Sequence, residues 1–568
     1  MLRAGSNMPL SCNAPQSSVA MPFESRSQTD ISVGTDRKFE QAVRLAHALG
    51  EARLDSGRTL REALCLDQRI SLWDVVETFM ALYRFPLRFV PGDGQAAWSE
   101  RVAYWVRPYR GLATRFRDHI RRLPRTATDC AQWPATGRPV LITCFTQAFY
   151  GQVLQPVAES IAKRDLGEVV ILHDGSPAES WSNNGAVRIQ SIWNHWDDEV
   201  GRQHRSMRHQ LLRLKGEVLD ASQLSRLMDE ISHQFGTTKV KNELVWLFWR
   251  EFVRLIPQLA LAEHMLSRHR PALVISADDA DPRCRIYSLL ARAAGIPTLL
   301  VQQGLSFSYY PEWRFLSHDR VAAMGDRSFG DLTSQGVDPK RVVVTGHPGF
   351  DTFAATDPDI ADKIRNDLGI PYEHRLILFA SQPSYVGAFD QSQKRTAMIK
   401  AVVKVVGSMK DATLVIKPHP SEKRKELAAL VGKAQGVILV DGAASVVPLI
   451  KACDVFITFF STTALQALYA GKPVITIDIP GSGGRQLYSD SQATWVARSP
   501  EELTEHVANL LSVNKGEYAT VKEVARDHFL REMVCLPDGK ASERVLGLVV
   551  DLLESGEKRG LAKAVYSG

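Results

Sequence analysis

Residues 413–420 read Thr-Leu-Val-Ile-Lys-Pro-His-Pro, and they place a lysine and a histidine directly after a short apolar run. Further along, Ser461-Thr462-Thr463 follow a second apolar run, 455–460, and precede a helical pattern that Gly471 ends. Each stretch predicts polar groups at the carboxyl end of a buried strand. In an open α/β sheet, ligands bind at that edge. Two such loops in successive βα units, both chemically suited to phosphate, predict a nucleotide-binding crevice.

The length and composition indicate a multidomain globular protein. With 568 residues, of which 45% are hydrophobic and 23% charged, the chain is too long for one compact core. The seven cysteines are scattered without C-x-x-C spacing, which argues against a disulfide framework and against a zinc site. No apolar stretch approaches the roughly 18–20 residues of a membrane span, and the first residues lack a secretory signal. We therefore expect a cytoplasmic protein.

The segment 101–125 is strongly basic, because it contains eight arginines and a single acid, Asp118. Such a run could bind anionic lipid headgroups, an anionic glycan or nucleic acid, and a solvated helix face explains it equally well. The sequence leaves open a peripheral contact with the inner face of the cytoplasmic membrane through 101–125. We expect no nucleic-acid partner, because aromatic interleaving is slight and most of the chain forms a cleft architecture.

Apolar periodicity predicts an α/β protein with two tandem Rossmann-like, doubly wound domains and an N-terminal helical extension. The predicted strands of the first domain are 139–145, 168–172, 272–276, 298–302, 321–324 and 342–345, and those of the second are 376–380, 413–416, 437–440, 455–460, 474–477 and 494–496. The predicted parts are a disordered N-terminus (1–35), a helical extension without evident chemistry (36–135), an acceptor domain with a long helical insertion (136–350), a nucleotide-donor domain (351–520) and C-terminal helices (521–568).

The second domain supplies the candidate phosphate site. Two prolines stiffen the backbone around His419, so that Lys417 and His419 are presented to a phosphate oxygen with little entropy left to lose. The hydroxyls and backbone N–H groups of residues 461–463 would cap the following helix and bind an anion. Asp478, at the end of the next strand, could accept hydrogen bonds from ribose or sugar hydroxyls. A rigid exposed turn and an ordinary helix cap are the alternatives for these two loops.

The first domain supplies candidate carboxylates at strand ends, namely Asp174, Asp278 and Asp279. One of them could take the proton from an attacking hydroxyl. Asp279-Ala280-Asp281 also spells D-x-D, a pattern that holds a divalent metal, but the following Pro282 favours a βα turn. We therefore predict no metal site. The absence of G-x-G-x-x-G after the first strand, and of a Walker loop anywhere, argues against dehydrogenases and P-loop ATPases.

Four motifs in order resemble a known superfamily. They are Gln302-Gln303-Gly304 after a strand, residues 344–351 with Gly346-His347-Pro348, the Lys-Pro-His-Pro stretch at 417–420, and Ser461-Thr462-Thr463 with Gly471-Lys472-Pro473. Together they resemble the GT-B glycosyltransferases of bacterial surface-polysaccharide synthesis, a group that includes capsule, lipopolysaccharide Kdo, sialic acid and polyol-phosphate transferases. The resemblance covers about 139–520.

The resemblance implies that His419 and residues 461–463 hold the phosphate of a nucleotide-activated donor, with Lys417 nearby. Gln303, Gly304, Gly346 and His347 would line other parts of the cleft. The sialyltransferase branch has two acids before a glycine at a strand end in its first domain. His173-Asp174-Gly175 replaces the first acid with histidine, which leaves Asp174 as the preferred base and Asp278 as the second choice.

The implied function is transfer of a sugar from a nucleotide-activated donor to a surface-polysaccharide or lipid-linked glycan acceptor. The reaction would be inverting and metal-independent, and it would use no cofactor other than the nucleotide-sugar co-substrate. Two alternatives remain open, a nucleotide-sugar 2-epimerase-like isomerase and a non-catalytic glycan- or nucleotide-binding protein of envelope assembly.

Overall fold

The structure is a computed structural model that describes most of the chain in segments. The described residues are 32–66, 69–86, 138–145, 153–175, 187–237, 240–306, 310–354, 359–382, 392–419, 422–432, 434–442, 444–459, 461–478, 487–512 and 522–565. The predicted disorder of 1–35 lies outside them apart from its last four residues, which begin a helix. The arginine-rich stretch 101–125 also lies outside the described residues.

Seven parallel strands form the first sheet, in the order β3-β2-β1-β4-β5-β6-β7. The order changes direction between β1 and β4, which makes that pair the topological switch point where α/β proteins bind ligands. The central strands are fully buried because helices cover both faces of a parallel sheet. The strands are β1 Val140–Thr143, β2 Val169–His173, β3 Val187–Ser191, β4 Leu273–Ser276, β5 Thr298–Val301, β6 Arg320–Ala323 and β7 Val342–Val344.

Six parallel strands form the second sheet, in the order β10-β9-β8-β11-β12-β13, with its switch point between β8 and β11. The prediction of two tandem doubly wound sheets is confirmed. The strands are β8 Arg375–Ala380, β9 Ala412–Lys417, β10 Val437–Leu439, β11 Val455–Thr458, β12 Val474–Ile477 and β13 Trp495–Ala497.

One of the seven strands of the first sheet, β3, was not predicted from the sequence. It lies at the sheet edge, and three of its five residues are only partly buried, including Arg188. An edge strand has one neighbour and one solvated side, so it does not need the continuous apolar run by which buried strands are recognised.

Helices cover both sheets, and a helical insertion separates β3 from β4. The α-helices are Ser32–Glu51, Leu60–Ala63, Leu72–Phe79, Gln155–Lys163, Asp198–Val218, Ala221–Phe235, Val240–Trp246, Phe252–His269, Pro282–Ala293, Asp326–Ser334, Asp351–Ala354, Ile360–Leu368, Ser392–Gly407, Arg424–Val431, Val446–Ala452, Thr463–Tyr469, Leu487–Ser491, Pro500–Leu511, Glu523–Val534 and Ala541–Val565. Met80–Arg84 and Leu247–Glu251 are π-helical, and short 3-10 turns occur at Ile192–His195, Pro311–Phe315, Pro339–Arg341 and Pro348–Phe350.

The N-terminal extension packs on the first domain instead of standing apart. Arg84 forms a buried ion pair with Glu243 of the insertion at 2.6 Å. The Phe39 ring meets the Tyr310 ring edge-on at 5.0 Å, and Arg285 donates to the Asp74 carbonyl at 3.1 Å. The extension therefore covers the region around β4 and the 3-10 turn Pro311–Phe315.

The C-terminal helix Ala541–Val565 returns to the first sheet. Val545, Val549 and Leu552 are buried in the same apolar cluster as Val140 of β1. The Asp351 carboxylate accepts from the backbone N–H groups at the start of this helix, Ala541 at 3.0 Å and Ser542 at 2.7 Å. The last helix therefore packs against the first domain, although it follows the second in sequence.

Among the helices of the described residues, none combines the length and the apolar character that a membrane span requires.

Candidate active site

The turn after β4 presents Asp278 at the switch point of the first sheet. Its Oδ1 accepts from the backbone N–H groups of Ala280 at 2.8 Å and Asp281 at 3.1 Å, which fixes the carboxylate. No donor among the described residues bonds its Oδ2. Burial, followed by the charge of Asp281, raises the pKa of Asp278 to about 6. Asp278 is thus oriented, mostly ionised at neutral pH and more basic than an ordinary aspartate.

Asp174, the base preferred from the sequence, has a different environment. Its Oδ2 accepts from Arg283 at 2.8 Å and from Gln258 at 3.4 Å. Trp193 donates to its backbone carbonyl at 3.2 Å. The Arg283 guanidinium already pairs with this carboxylate, so a substrate would have to compete with it for Asp174, whereas Oδ2 of Asp278 is bonded to no donor among the described residues.

The two acids of the D-x-D pattern already have protein partners. Asp281 caps the helix Pro282–Ala293 by accepting from the Arg283 N–H at 2.8 Å, and it also forms an ion pair with the Arg283 guanidinium. Asp279 pairs with Arg285 at 3.3 Å and accepts from the Ser317 N–H at 2.8 Å. These contacts explain both acids as parts of a βα turn.

A second carboxylate, Glu312, lies near Asp278 and was not found from the sequence. It lies in the 3-10 turn Pro311–Phe315, and burial together with the charges of Asp278 and Asp279 raises its pKa to about 8. Tyr83 of the extension hydrogen-bonds Tyr310, which lies next to this turn. No local motif marks Glu312, because its neighbours come from separate elements of the first domain and from the extension.

The turns after β5 and β7 are tied together. His347 is buried, accepts from the Gly349 N–H through Nδ1 at 3.1 Å, and donates through Nε2 to the Gln303 carbonyl at 3.2 Å. Burial lowers the pKa of His347 to about 4, so the ring is neutral. The Gln302 amide donates to the Gly304 carbonyl at 2.8 Å. These hydrogen bonds of His347 connect the turn after β5 to the turn after β7.

Gly346 allows the C-terminal segment to approach closely. Its φ is +85°, and a Cβ there would lie 3.1 Å from both the Ala541 Cβ and the Val534 carbonyl oxygen. A side chain at this position would be strained and crowded. Gly346 therefore serves the packing of the last helix.

On the second sheet, the loop after β9 is held by ionic and polar contacts. Lys417 is buried, and its Nζ donates to the carbonyls of Pro418 at 2.9 Å and Gly442 at 2.6 Å. Burial lowers the Lys417 pKa. Through these two hydrogen bonds, Lys417 connects the ends of β9 and β10 and stabilises the loop after β9.

His419 is exposed on this loop, and partial burial of its ring lowers its pKa, which favours the neutral imidazole at neutral pH. Its backbone N–H donates to the buried carboxylate of Glu422 at 2.7 Å. Glu422 also pairs with Arg395 and accepts from Ser381 at the end of β8 at 3.0 Å. Glu422 lies three residues after His419, a spacing that could have indicated a loop-closing acceptor.

Residues 461–463 precede a short helix, Thr463–Tyr469. Ser461 Oγ accepts from the Thr463 N–H at 3.2 Å, whereas Thr462 is in αR conformation and makes no side-chain cap. Buried Tyr488 donates to the Ser461 carbonyl at 2.8 Å. Within the described part of the chain, the buried Thr463 hydroxyl has no hydrogen-bond partner. Ser461 thus supplies the local cap that was expected from all three residues.

Asp478 lies at the carboxyl end of β12. Its Oδ2 accepts from the Ser489 hydroxyl at 3.0 Å and lies 3.5 Å from the Arg498 guanidinium. The carboxylate is therefore partly occupied by protein donors.

Arg327, which follows β6 of the first sheet, contacts elements that follow strands of the second sheet. It lies 3.5 Å from Glu532 of the helix Glu523–Val534. Its charge also opposes the rise that burial causes in the pKa of Asp490, which lies in the helix Leu487–Ser491 before β13.

One family model matches less than half of the chain. Residues 333–551 match the model of the CDP-glycerol:poly(glycerophosphate) glycerophosphotransferase family. A comparison with curated proteins gives no match.

Several solved structures are similar to this chain at low sequence identity. A UDP-GlcNAc 2-epimerase from Neisseria meningitidis, bound to UDP-GlcNAc, is 14% identical, with a TM-score of 0.45 over 73% of this chain and 100% of its own. A glycosyltransferase from Rickettsia africae is 12% identical, with a TM-score of 0.44 over 74% and 99%. A variant of the wall teichoic acid polymerase TagF is 12% identical, with a TM-score of 0.45 over 82% and 100%.

The family match spans the whole second sheet and includes the loops that carry His419 and residues 461–463. The chain thus combines two tandem parallel sheets with a second part, residues 333–551, that is similar to the CDP-glycerol:poly(glycerophosphate) glycerophosphotransferase family.

Proposed function

We propose that the chain transfers a sugar from a nucleotide-activated donor to a surface-polysaccharide or lipid-linked glycan acceptor, by an inverting reaction that needs no metal. The observation that supports this most is the opposite chemistry of the two carboxyl edges. The first sheet presents an oriented, basic carboxylate, Asp278. The second presents an imidazole and hydroxyls suited to phosphate.

The second edge would bind the donor. The neutral imidazole of His419 and the hydroxyls of Thr462 and Thr463 would donate to the donor phosphates and stabilise the charge that builds on the leaving group. Lys417 supports the loop, because its ammonium is bound to two backbone carbonyls. Asp478 would bind a ribose or sugar hydroxyl by exchanging one of its present partners.

The first edge would activate the acceptor. Asp278 would take the proton from the acceptor hydroxyl, and the oxygen would attack the anomeric carbon as the bond to the phosphate breaks. The nucleoside diphosphate then leaves, and the configuration at that carbon inverts. Asp174 would compensate the positive charge of Arg283, with which it forms an ion pair.

A second candidate function is transfer of glycerophosphate from CDP-glycerol, which the family match over residues 333–551 favours. Here the acceptor hydroxyl would attack the phosphorus that carries the glycerol, the anhydride bond would break, and CMP would leave. The same residues would contact the diphosphate. The two candidates therefore differ in which bond breaks and in which nucleotide is released.

A thermal-shift panel followed by product analysis tests these candidates. The panel contains CMP, CDP, UDP, GDP, their sugar conjugates and CDP-glycerol, since a ligand that binds only the folded state raises its apparent stability. The stabilising donor is then incubated with and without glycan acceptors. For glycosyl transfer we expect acceptor-dependent release of the nucleotide that carried the sugar, which is a nucleoside diphosphate from an NDP-sugar and CMP from a CMP-sugar.

Each other outcome identifies a different activity. Acceptor-dependent release of CMP from CDP-glycerol would replace sugar transfer by the second candidate. Conversion of a UDP-sugar without acceptor would indicate an isomerase of the 2-epimerase kind. Donor binding without turnover under every acceptor condition would indicate a binding protein.

A further inference from the structure

The N-terminal extension places an exposed aromatic ring near the turn that carries Asp278. The Tyr83 side chain is 46% exposed, and its hydroxyl is hydrogen-bonded to Tyr310, which immediately precedes the 3-10 turn Pro311–Phe315. The negative charges of Asp278 and Glu312 act on the Tyr83 hydroxyl. A residue that belongs to neither sheet thus lies close to the switch point of the first one.

The Tyr83 ring is held in one orientation by its neighbours. It lies in the π-helical turn Met80–Arg84, a type of turn that is frequent at functional sites. The Phe79 ring packs against Tyr83 with 5.5 Å between the ring centroids, and Phe79 in turn stacks on Trp246 of the insertion at 6.4 Å. Because Tyr83 is already ordered, its exposed part can bind a ligand at little further cost in side-chain entropy.

A second aromatic ring, Phe145, lies next to the same turn. Thr143 of β1 pairs with Ser276 of β4, so Phe145 and Asp278, each two residues further on, follow neighbouring strands at the same level. Phe145 is half-buried, and the Arg283 guanidinium lies 5.3 Å from the centre of its ring. Two partly exposed rings, one from the extension and one after β1, are therefore close to the proposed base.

The charges around these rings disfavour an additional anion. Arg283 and Arg285 already pair with neighbouring carboxylates, namely Asp174, Asp279 and Asp281. Asp278 and Glu312 form no ion pair with a cation among the described residues, and burial, followed by the charges of Asp278 and Asp279, raises the pKa of Glu312 to about 8. A ligand that carries a carboxylate or a phosphate would add another like charge here. A hydroxyl-bearing neutral ligand would not, and the protonated Glu312 can both donate to a hydroxyl and accept from one.

We propose that Tyr83 and Phe145 form a subsite beside Asp278 for an uncharged sugar ring at the end of the acceptor glycan. This inference rests on the proposed function, in which an acceptor hydroxyl reaches Asp278. The C–H groups on one side of a sugar ring carry partial positive charge, so they pack well against the negative face of the tyrosine ring. The extension, in which the sequence indicates no chemistry, thereby selects the acceptor.

Binding of the full chain to immobilised oligosaccharides tests the subsite without a donor. The probes are matched pairs of oligosaccharides, of which one ends in glucose, galactose or N-acetylglucosamine and the other in the corresponding uronic acid. Tyr83→Leu keeps an apolar side chain but removes the ring, whereas Tyr83→Phe keeps the ring. Tyr372→Leu, at an exposed tyrosine of the second domain, is the matched control. Thermal unfolding shows whether each variant is folded.

We expect the wild type to bind an oligosaccharide with a neutral end at least about tenfold more tightly than its uronic acid partner, and this preference to decrease at high salt. Tyr83→Leu should weaken that binding by about tenfold or more, whereas Tyr83→Phe and the control should bind within about twofold of the wild type. The proposal is overturned if folded Tyr83→Leu binds as the wild type does, if the uronic acid partners bind as tightly as the neutral ones, or if no oligosaccharide is bound.

The subsite and the proposed function can fail separately. Ring-dependent binding of neutral sugars without any sugar transfer would support the subsite and contradict the transfer. Sugar transfer with an unchanged KM for the acceptor in Tyr83→Leu would contradict the subsite alone. In an active enzyme, Tyr83→Leu should raise the KM for the acceptor by about tenfold, and more than it changes the KM for the donor.

Discussion

The carboxyl edges of the two sheets have the same topology but opposite chemistry. The first edge is acidic, and two of its carboxylates, Asp278 and Glu312, have raised pKa values. The second edge presents an imidazole and hydroxyls, and the buried carboxylate of Glu422 there is already bonded to Ser381, Arg395 and the His419 N–H. One fold used twice thus gives one edge suited to accepting protons and one suited to binding anions.

Within each edge, the difference between supporting and reactive groups follows from the partners that each group already has. Lys417 and Asp279 are already bonded to protein groups, so they stabilise their loops. One oxygen of Asp278 and the hydroxyl of Thr463 accept or donate no bond within the described part of the chain. A substrate can hydrogen-bond to groups such as these two without breaking an existing contact.

The largest expected effect comes from removing the basic carboxylate of the acidic edge. Asp278→Asn should lower kcat/KM by about 10²–10³-fold, since it removes general-base catalysis while keeping the shape of the side chain. The measurement is steady-state release of the nucleotide product. Asp338→Asn, at an exposed aspartate that caps a 3-10 turn, is the control.

Asp174→Asn tests whether Asp174 has a structural role while Asp278 is the base. It should cost activity less than Asp278→Asn does, and lower the midpoint of thermal unfolding more, because it leaves Arg283 without one of its two acids. A larger loss of activity in the Asp174 variant would reverse the assignment of the base.

On the anion-binding edge, His419→Ala should weaken donor binding or turnover by at least about tenfold, because a donor to the leaving phosphate is lost. Donor affinity is measured by calorimetry. His233→Ala, at an exposed histidine of the helix Ala221–Phe235, should change nothing. Unchanged kinetics in a folded His419 variant would exclude the phosphate role.

The pH profile should distinguish the edges. Because the raised pKa of Asp278 is about 6, the base is ionised above that pH and protonated below it. We expect kcat/KM to fall about tenfold per pH unit below about pH 6. His419→Ala should lower the plateau and leave this inflection in place, whereas an inflection that moves with His419 would contradict the division of roles.

Thr463→Val should act in opposite directions on stability and on binding. Removal of a buried, unpaired hydroxyl should raise the free energy of unfolding by about 1 kcal/mol, and loss of a hydrogen bond to phosphate should weaken donor affinity about threefold to tenfold. Thr504→Val, at an exposed threonine, is the control. Weaker binding together with lower stability would indicate a packing defect instead.

Glu312→Gln should have the smallest effect, and it should depend on pH. The folded pKa of Glu312 is about 8 and its ordinary value is lower, so the folded state binds the extra proton between these values. Wild-type stability therefore decreases as pH rises through that window, and the glutamine variant lacks this loss. The variant should gain roughly 1–3 °C in melting temperature near pH 8 relative to pH 5. An equal difference at both pH values would show that the raised pKa is wrong.

Much of the fold was predictable because its strands are buried. Twelve of the thirteen strands follow apolar runs, and only the polar edge strand Val187–Ser191 was missed. The packing of the C-terminal helix on the first sheet was not predictable, because an apolar helical pattern does not identify the surface that will cover it.

The sequence by itself determined two doubly wound sheets and the polar residues that end their strands, since strand period, strand length and the position of Pro and Gly are local properties. Only the tertiary structure decided what those residues do. Arg283 neutralises Asp174, two carbonyls bind Lys417, and burial makes Asp278 basic. These differences depend on partners that are distant in the chain, and on the loss of water around them, which no local pattern specifies.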